Sequence, residues 1–597
     1  MLFAAGISPP GPVDIFLRMD PTVMAGTFLA GRAVLAALWP ALVFLALTAL
    51  AGRLFCGWIC PLGACVDLAD RGLSRRRSAP LNRSVRTGLR RVKFHVLALI
   101  LGAAALGVSM VFLAAPIPLV TRFFGLLLLP IAEAAAWLGL DALRPLAASM
   151  DWDSLYYLEI SNSRFGTQFF LLVMAGVVFL PGLLAPRFWC RYLCPAGAVF
   201  SLFGRKPVIR RRVSDDCIEC GLCQKRCPMN AIPEDPHVTR NGECIACETC
   251  ERICPTAAIS FPVARRPRTI EVQENAGKNP ANASEKQAGR KRQPAFSEPA
   301  MPRRTFLYTG AAGMGAALLA YADIASPLVA EGKGAPEERH TLRPPGALPE
   351  PDFLARCVRC GECMAACPTN TIQPVWFAAG LAGVFSPVLE PTRGPCETTC
   401  NLCGHVCPTG ALRPLPLAEK QNAKLGTARI LRYKCLAWEE ERQCVVCDEV
   451  CPYDAIHLER VTGNPVAVPF VNEQRCAGCG FCEHHCPVRA ERAIIVEPAG
   501  AVRLASGSYT EENAALGLDI DLDRPASDLR QSAPGEFGGY DRSAPPSAGD
   551  DMPPGFSEPG GGQDRSPSPY TGSDPRPPIS RPDSESGLPP GFSEPDS

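Results

Sequence analysis

The stretch Cys357-Val358-Arg359-Cys360-Gly361-Glu362-Cys363-Met364-Ala365-Ala366-Cys367-Pro368 sets three cysteines at three-residue steps and a fourth directly before a proline. A [4Fe–4S] cubane needs four thiolates converging on one small volume, and C-x2-C-x2-C-x3-C-P is a bacterial spacing that supplies them. The close triplet wraps three irons, and the fourth cysteine, turned by its proline, closes the site. Working outward, the same spacing recurs at Cys217, Cys220, Cys223, Cys227, at Cys244, Cys247, Cys250, Cys254, and at Cys476, Cys479, Cys482, Cys486. Two further quartets stretch only the first gap: Cys396, Cys400, Cys403, Cys407 and Cys435, Cys444, Cys447, Cys451. Cysteine precedes proline eight times, and six of those pairs close one of these quartets. The pattern predicts six [4Fe–4S] clusters, a wire whose two ends have to be found.

The 597 residues exceed a single hydrophobic core and imply several domains. Disulfide frameworks belong to short secreted chains, whereas this one carries long apolar segments and no N-terminal stretch shaped like a cleavable signal. Structural zinc favours separated C-x2-C pairs, not triplets with a proline-capped fourth. No C-x-x-C-H occurs, which argues against covalent haem. A formal net charge of +1 gives no general attraction to nucleic acid.

Charge is instead sorted along the chain. Three stretches are apolar and long enough to span a bilayer: about Thr27–Ala51, Phe94–Ala115 and Thr167–Ala185. The loop after the first is rich in arginine from Arg71 to Arg91, and the third is followed by Arg187, Arg191, Arg205 and Lys206. The positive-inside rule puts both basic regions in the cytoplasm. Three spans satisfy that parity; a fourth at Phe123–Leu138, which carries Glu133, does not, so that segment is expected to be interfacial or re-entrant. His95 opens the second span, where a membrane-boundary anchor is the expected role and a quinone headgroup contact the rarer one.

Each basic loop opens with the same motif, Phe55-Cys56-Gly57-Trp58-Ile59-Cys60-Pro61-Leu62-Gly63-Ala64 and Trp189-Cys190-Arg191-Tyr192-Leu193-Cys194-Pro195-Ala196-Gly197-Ala198. Cysteines at i and i+4 share a helix face. The repeat therefore predicts a redox or metal site, or a docking surface, from Cys56, Cys60, Cys190 and Cys194; buried small hydrophobes are the bland alternative. Cys65 lies outside every pattern and is expected to be structural.

Residues 207–262 hold two quartets, and in two-cluster folds the fourth cysteine serves the other cluster. Cys254 should therefore join Cys217, Cys220 and Cys223, and Cys227 should join Cys244, Cys247 and Cys250. Residues 263–302 read as a disordered linker. It ends at Arg303-Arg304-Thr305-Phe306-Leu307 before a glycine/alanine run, the form of a twin-arginine export signal. Residues 331–504 hold the other four quartets, and nested pairing would join the first with the fourth and the second with the third. Phe377–Phe385 is glycine-rich but fits no nucleotide motif and reads as a packing loop. Residues 505–597 read as a disordered tail, with Phe-Ser-Glu-Pro at 296–299, 556–559 and 592–595.

The first 262 residues, with paired C-x3-C-P motifs followed by a two-cluster module, resemble the NapH/NosR-type membrane ferredoxins. The stretch from Arg303 to about Leu504 resembles NapG, through its twin arginine, Leu342-Arg343-Pro344-Pro345-Gly346-Ala347, Cys357–Gly361 and Cys476–Gly480. The resemblance implies a natural fusion of the two, taking electrons from membrane quinol to a periplasmic terminal reductase of the nitrate-reductase kind or its electron-accepting subunit. The expected fold class is mixed. A helical membrane domain (1–206) precedes an α+β two-cluster bacterial ferredoxin domain (207–262), the linker (263–302), a twin-arginine anchor helix (303–330), an α+β four-cluster domain (331–504) and the tail. The expected location is the bacterial inner membrane, with the first ferredoxin domain cytoplasmic and the second periplasmic. A quinol dehydrogenase component is one functional class; a maturation, assembly or regulatory factor for a metalloenzyme is the other.

Overall fold

Asp20 starts the first long helix, Pro21–Gly31, by accepting the Thr22 N–H at 2.9 Å, and left-handed Arg32 ends it. In the computed structural model, residues 15–33, 35–74, 87–150, 152–158, 163–262, 302–321, 341–377, 379–489 and 491–522 are described, all within the first of two compact units, Met1–Asp528. The linker before Met301 and all three Phe-Ser-Glu-Pro repeats lie outside the described residues.

The expected span Thr27–Ala51 is two helices, Pro21–Gly31 and Trp39–Ala51, because the chain reverses hand at Arg32 (φ 46°). The expected span Phe94–Ala115 is helical over Val92–Ala105, and Gly107 (φ 88°) turns the chain after it. Phe123–Leu138, expected as interfacial, lies inside the continuous helix Pro116–Ser149. Among the described residues this is the one helix long and apolar enough to cross a membrane. Glu133 had counted against it, but Glu133 is buried and accepts the Ser163 N–H at 3.0 Å, so its polar group is satisfied. The third apolar stretch forms Gln168–Phe179.

Strands pair two by two, antiparallel. Arg212–Val213 with Ile259–Ser260 brackets the first cysteine-rich module. In the second, Ile372–Pro374 pairs with Pro387–Leu389, Thr427–Ile430 with Ile494–Glu497, and Ile456–Arg460 with Ala467–Val471. The glycine-rich stretch contributes one short turn of helix, Gly380–Gly383.

The helix Val92–Ala105 organises the modules. At its start, buried Lys93 and Arg53 both grip Glu243 of the first module, at 2.5 and 3.0 Å. Just past its end, the Ser109 carbonyl accepts from Arg359 of the second module, and Thr121 Oγ1 donates to the Cys360 carbonyl at 2.9 Å. Alongside runs Arg303–Tyr321, with Gly310 against Ala98 and Gly102, and Ala317 clustered with Ala103 and Val108, so the two helices are parallel. A Cβ at Gly102 would collide with the Gly310 carbonyl, and one at Gly313 with the Leu99 carbonyl; small residues permit this close approach, as in membrane helix pairs.

The expected disordered tail starts too early. Tyr509–Ala515 is a helix capped by Ser508, with Tyr509 and Ile520 buried and Asn513 donating to the Asn422 carbonyl at 2.7 Å. A few well-placed apolar residues suffice where the average composition is polar.

Candidate iron–sulfur centres

The quartets share a backbone device. In each strict signature the residue before the second cysteine is left-handed: Glu219 (φ 53°), Ala246 (49°), Arg359 (50°) and Gly478 (73°). So is the residue after it, Gly221, Glu248, Gly361 and Gly480. Alternating hand curls the chain so that successive N–H groups face inward, a nest suited to an anionic centre. The closing cysteine precedes proline, which keeps it extended, as at Cys227 (φ −69°, ψ 112°). Three residues on, the chain turns left-handed again at Asn230, Ala257, Asn370, Gly410 and Asp454. Amides are thereby aimed at sulfur: Ala231 N–H donates to Cys227 Sγ at 3.3 Å, Ala455 to Cys451 at 3.3 Å and Leu412 to Cys407 at 3.4 Å. Left-handed non-glycine residues cost roughly 1–2 kcal/mol each. Concentrating them here fits thiolate-bound clusters, whose sulfurs these donors stabilise.

The thiols group across signatures. Cys227 lines one cavity with Cys244, Cys247 and Cys250. Cys223 and Cys254 share an apolar cluster, and Cys217 and Cys220 lie in electrostatic range of Cys223. Cys367 lines a cavity with Cys396, Cys400 and Cys403, while Cys407 lies near Cys357, Cys360 and Cys363. Cys451 joins Cys476, Cys479 and Cys482, and Cys435, Cys447 and Cys486 share their core; Cys444 lies in electrostatic range of Cys447. Nested pairing is thus overturned: the first signature of the second module exchanges its fourth cysteine with the second, and the third with the fourth. Neighbours in sequence pair because each couple folds around its own antiparallel strands.

Burial pushes the thiols of Cys244 and Cys447 up to about 12, so loading these sites must release protons. Cationic groups sit where that charge would appear. Arg211 Nη2 donates to Cys223 Sγ at 3.5 Å, and Lys424 Nζ to the Cys476 carbonyl at 2.8 Å. Arg122 and Arg359 are buried beside the Cys357 site, stacked on Phe112 and bonded to carbonyls. Cysteine spacing carries no signal for these arginines, although Arg359 lies inside a signature. Arg304 is exposed near the start of its helix.

The motifs of the membrane half come together. Cys56, Cys60, Cys190 and Cys194 are mutual electrostatic neighbours in all six pairings. Cys65 packs against the same core.

Family comparison matches a 4Fe-4S binding domain at residues 32–80 and 167–214, a 4Fe-4S dicluster domain at 209–260, another at 356–437, and a 4Fe-4S binding domain at 469–492. The chain therefore binds multiple [4Fe–4S] clusters. The methylamine utilization ferredoxin-type protein MauM of Methylorubrum extorquens is 39% identical over 220 residues, 34% of this chain and 92% of MauM. The ferredoxin-type protein NapG of Escherichia coli is 36% identical over 177 residues, 28% of this chain and 75% of NapG. The ferredoxin-type protein NapF of the same organism is 32% identical over 150 residues, 25% of this chain and 82% of NapF.

Proposed function

Because this chain belongs to the family of ferredoxin-type iron–sulfur proteins represented by MauM and NapG, we propose that it carries electrons from membrane quinol, through six [4Fe–4S] centres, to a terminal redox enzyme on the far side of the membrane. The observation that carries this reading is the attachment of two cysteine-rich modules to opposite ends of Val92–Ala105, through Lys93–Glu243 at one end and Ser109–Arg359 at the other. Outward-facing Leu42, Leu47, Leu138, Phe169 and Leu172 around these helices favour a lipid surround. The parallel helix Arg303–Tyr321 would then deliver the chain from the first module's side to the second's, whether its twin arginine serves export or anchoring.

On this reading the chain is a fusion of a NapH/NosR-type membrane half with a NapG-type module. The bound clusters supply one-electron storage. The chain's own residues do the rest. Twenty-four cysteines, from Cys217 to Cys254 and from Cys357 to Cys486, supply the thiolates. Their nests fix the sulfurs and the N–H donors raise the potentials. The acceptor is nitrate-reductase-like if the resemblance to NapG is the guide, whereas MauM's name ties that relative to methylamine utilization.

The test is reduction of the purified, reconstituted chain by menaquinol or ubiquinol, followed by cluster EPR. Appearance of reduced-cluster signals within turnover is expected. Oxidised clusters after exposure to every quinol would remove the dehydrogenase reading and leave a maturation role.

A further inference from the structure

We propose that Cys56, Cys60, Cys190 and Cys194 together hold a seventh [4Fe–4S] cluster, lying between the two modules. The inference deepens the electron-carrier reading above and rests on the other quartets being cluster sites.

Each copy of the C-x3-C-P repeat offers only two neighbouring motif cysteines, so neither can close a cubane alone. The structure joins the copies with a two-fold likeness. Phe55–Ile59 and Trp189–Leu193 are matching π-helical turns, and both end on a cysteine with φ −64° and ψ 115°. That extended cysteine before proline is the backbone form of the closing ligand Cys227. As at Cys227, an amide is aimed at the sulfur: Gly197 N–H donates to Cys194 Sγ at 3.2 Å.

The two copies also brace each other. Arginine stands three residues ahead of the first cysteine in both, as Arg53 and Arg187. Arg53 is fully buried; its Nη2 reaches Cys56 Sγ at 3.9 Å, and a Cβ on Gly197 would press on that Nη2 at 2.7 Å. Buried Arg187 donates from Nη1 to the Cys56 carbonyl of the other copy at 3.2 Å. Two guanidiniums therefore flank four thiols, the charge balance that a thiolate-bound cluster demands.

Chemistry narrows the occupant. All four cysteines are free thiols rather than disulfides. Sulfurs around one tetrahedral metal ion lie about 3.8 Å apart at a metal–sulfur distance of about 2.3 Å. A cubane spreads its four ligands further, and Cys56, Cys60, Cys190 and Cys194 supply the all-sulfur donor set that such a cluster takes.

The position gives the site its work. On one side Cys56 packs with Cys227, Cys244 and Cys247 around Ile245, and Trp58 Nε1 donates to the Ala246 carbonyl at 3.0 Å. On the other, Cys60 and Cys194 share an apolar core with Ile117, Val358 and Cys360. A cluster held by these four cysteines would supply one-electron storage between the Cys244 and Cys357 sites, gaining an electron from one neighbouring centre and giving it to the other with no proton or bond exchanged.

Native mass spectrometry and iron analysis of the anaerobically purified full chain test this. Seven clusters, about 28 iron atoms per chain, are expected. A Cys56→Ser/Cys190→Ser double variant should lose about four irons, while Cys65→Ser on the adjacent helix loses none. The same iron content in parent and double variant would overturn the proposal. If the variant does not fold, the parent decides alone: seven clusters uphold the site and six overturn it. None of these counts depends on quinol, so the electron-carrier reading can fail without deciding this one.

Discussion

Arg211 is held by the Pro236 carbonyl at 2.7 Å and Thr239 Oγ1 at 3.1 Å, which leaves Nη2 fixed on Cys223 Sγ. A buried cation and N–H donor at a ligand sulfur stabilises the reduced, more negative centre. Arg211→Gln should therefore lower the potential of that centre by on the order of 50 mV, about a tenfold change for one electron. An EPR-monitored redox titration reads it, and an unmoved midpoint would remove the role. Glu350 gives a pH prediction. Burial pushes its carboxyl up, but the Arg343 fork, at 2.5 and 3.1 Å, and Arg503, at 2.6 Å, outweigh burial and hold it below the usual carboxylate range. A depressed carboxyl contributes stability above its unfolded value, about 4.3, and loses it as pH falls through the folded value. Melting temperature of the chain should fall on acidification below pH 4.3, and Glu350→Gln should flatten that fall. The cysteines were legible at this scale because spacing alone encodes a cubane. Arg211 was not, because it carries no spacing signal, and Arg53 stands out only when it is set beside Arg187 at the same offset from the second motif.

At the scale of elements, the contact of Arg303–Tyr321 with Val92–Ala105 depends on backbone approach at Gly102, Gly310 and Gly313. Gly313→Leu should force the pair apart and destabilise it by about 1–3 kcal/mol. A disulfide trap between cysteines placed at Ala103 and Ala317 should form in the parent background and fail in that variant. The cap Tyr509–Ala515 buries Tyr509 almost completely. Tyr509→Ala should cost about 3 kcal/mol in a denaturant melt of the full chain. A cost below about 1 kcal/mol would mean that the helix merely rests on the module. Composition hid this helix, since polar residues surround its few anchors. Charge parity likewise hid the long helix Pro116–Ser149, because counting arginines in loops says nothing of where Glu133 finds its hydrogen bond.

For the whole molecule, mixed helical and ferredoxin-like architecture was readable from hydropathy and cysteine spacing, whereas the joining of the halves was not. That joining runs through Glu243, which binds Lys93 and Arg53, two cations with no solvent exposure. Removing the carboxylate strands both, so Glu243→Ala should cost about 3–5 kcal/mol and loosen the first module, seen as faster proteolysis after Pro207. The central claim is that electrons entering one module reach the other through the helical layer. Its most direct measurement uses sealed proteoliposomes with the chain in a single orientation and dithionite, a membrane-impermeant reductant, added outside without mediator. Bleaching of the iron–sulfur absorbance of every centre, inner and outer, is the predicted result. Bleaching of only the outward-facing module's share, with the rest reduced once the vesicles are opened by detergent, would contradict it.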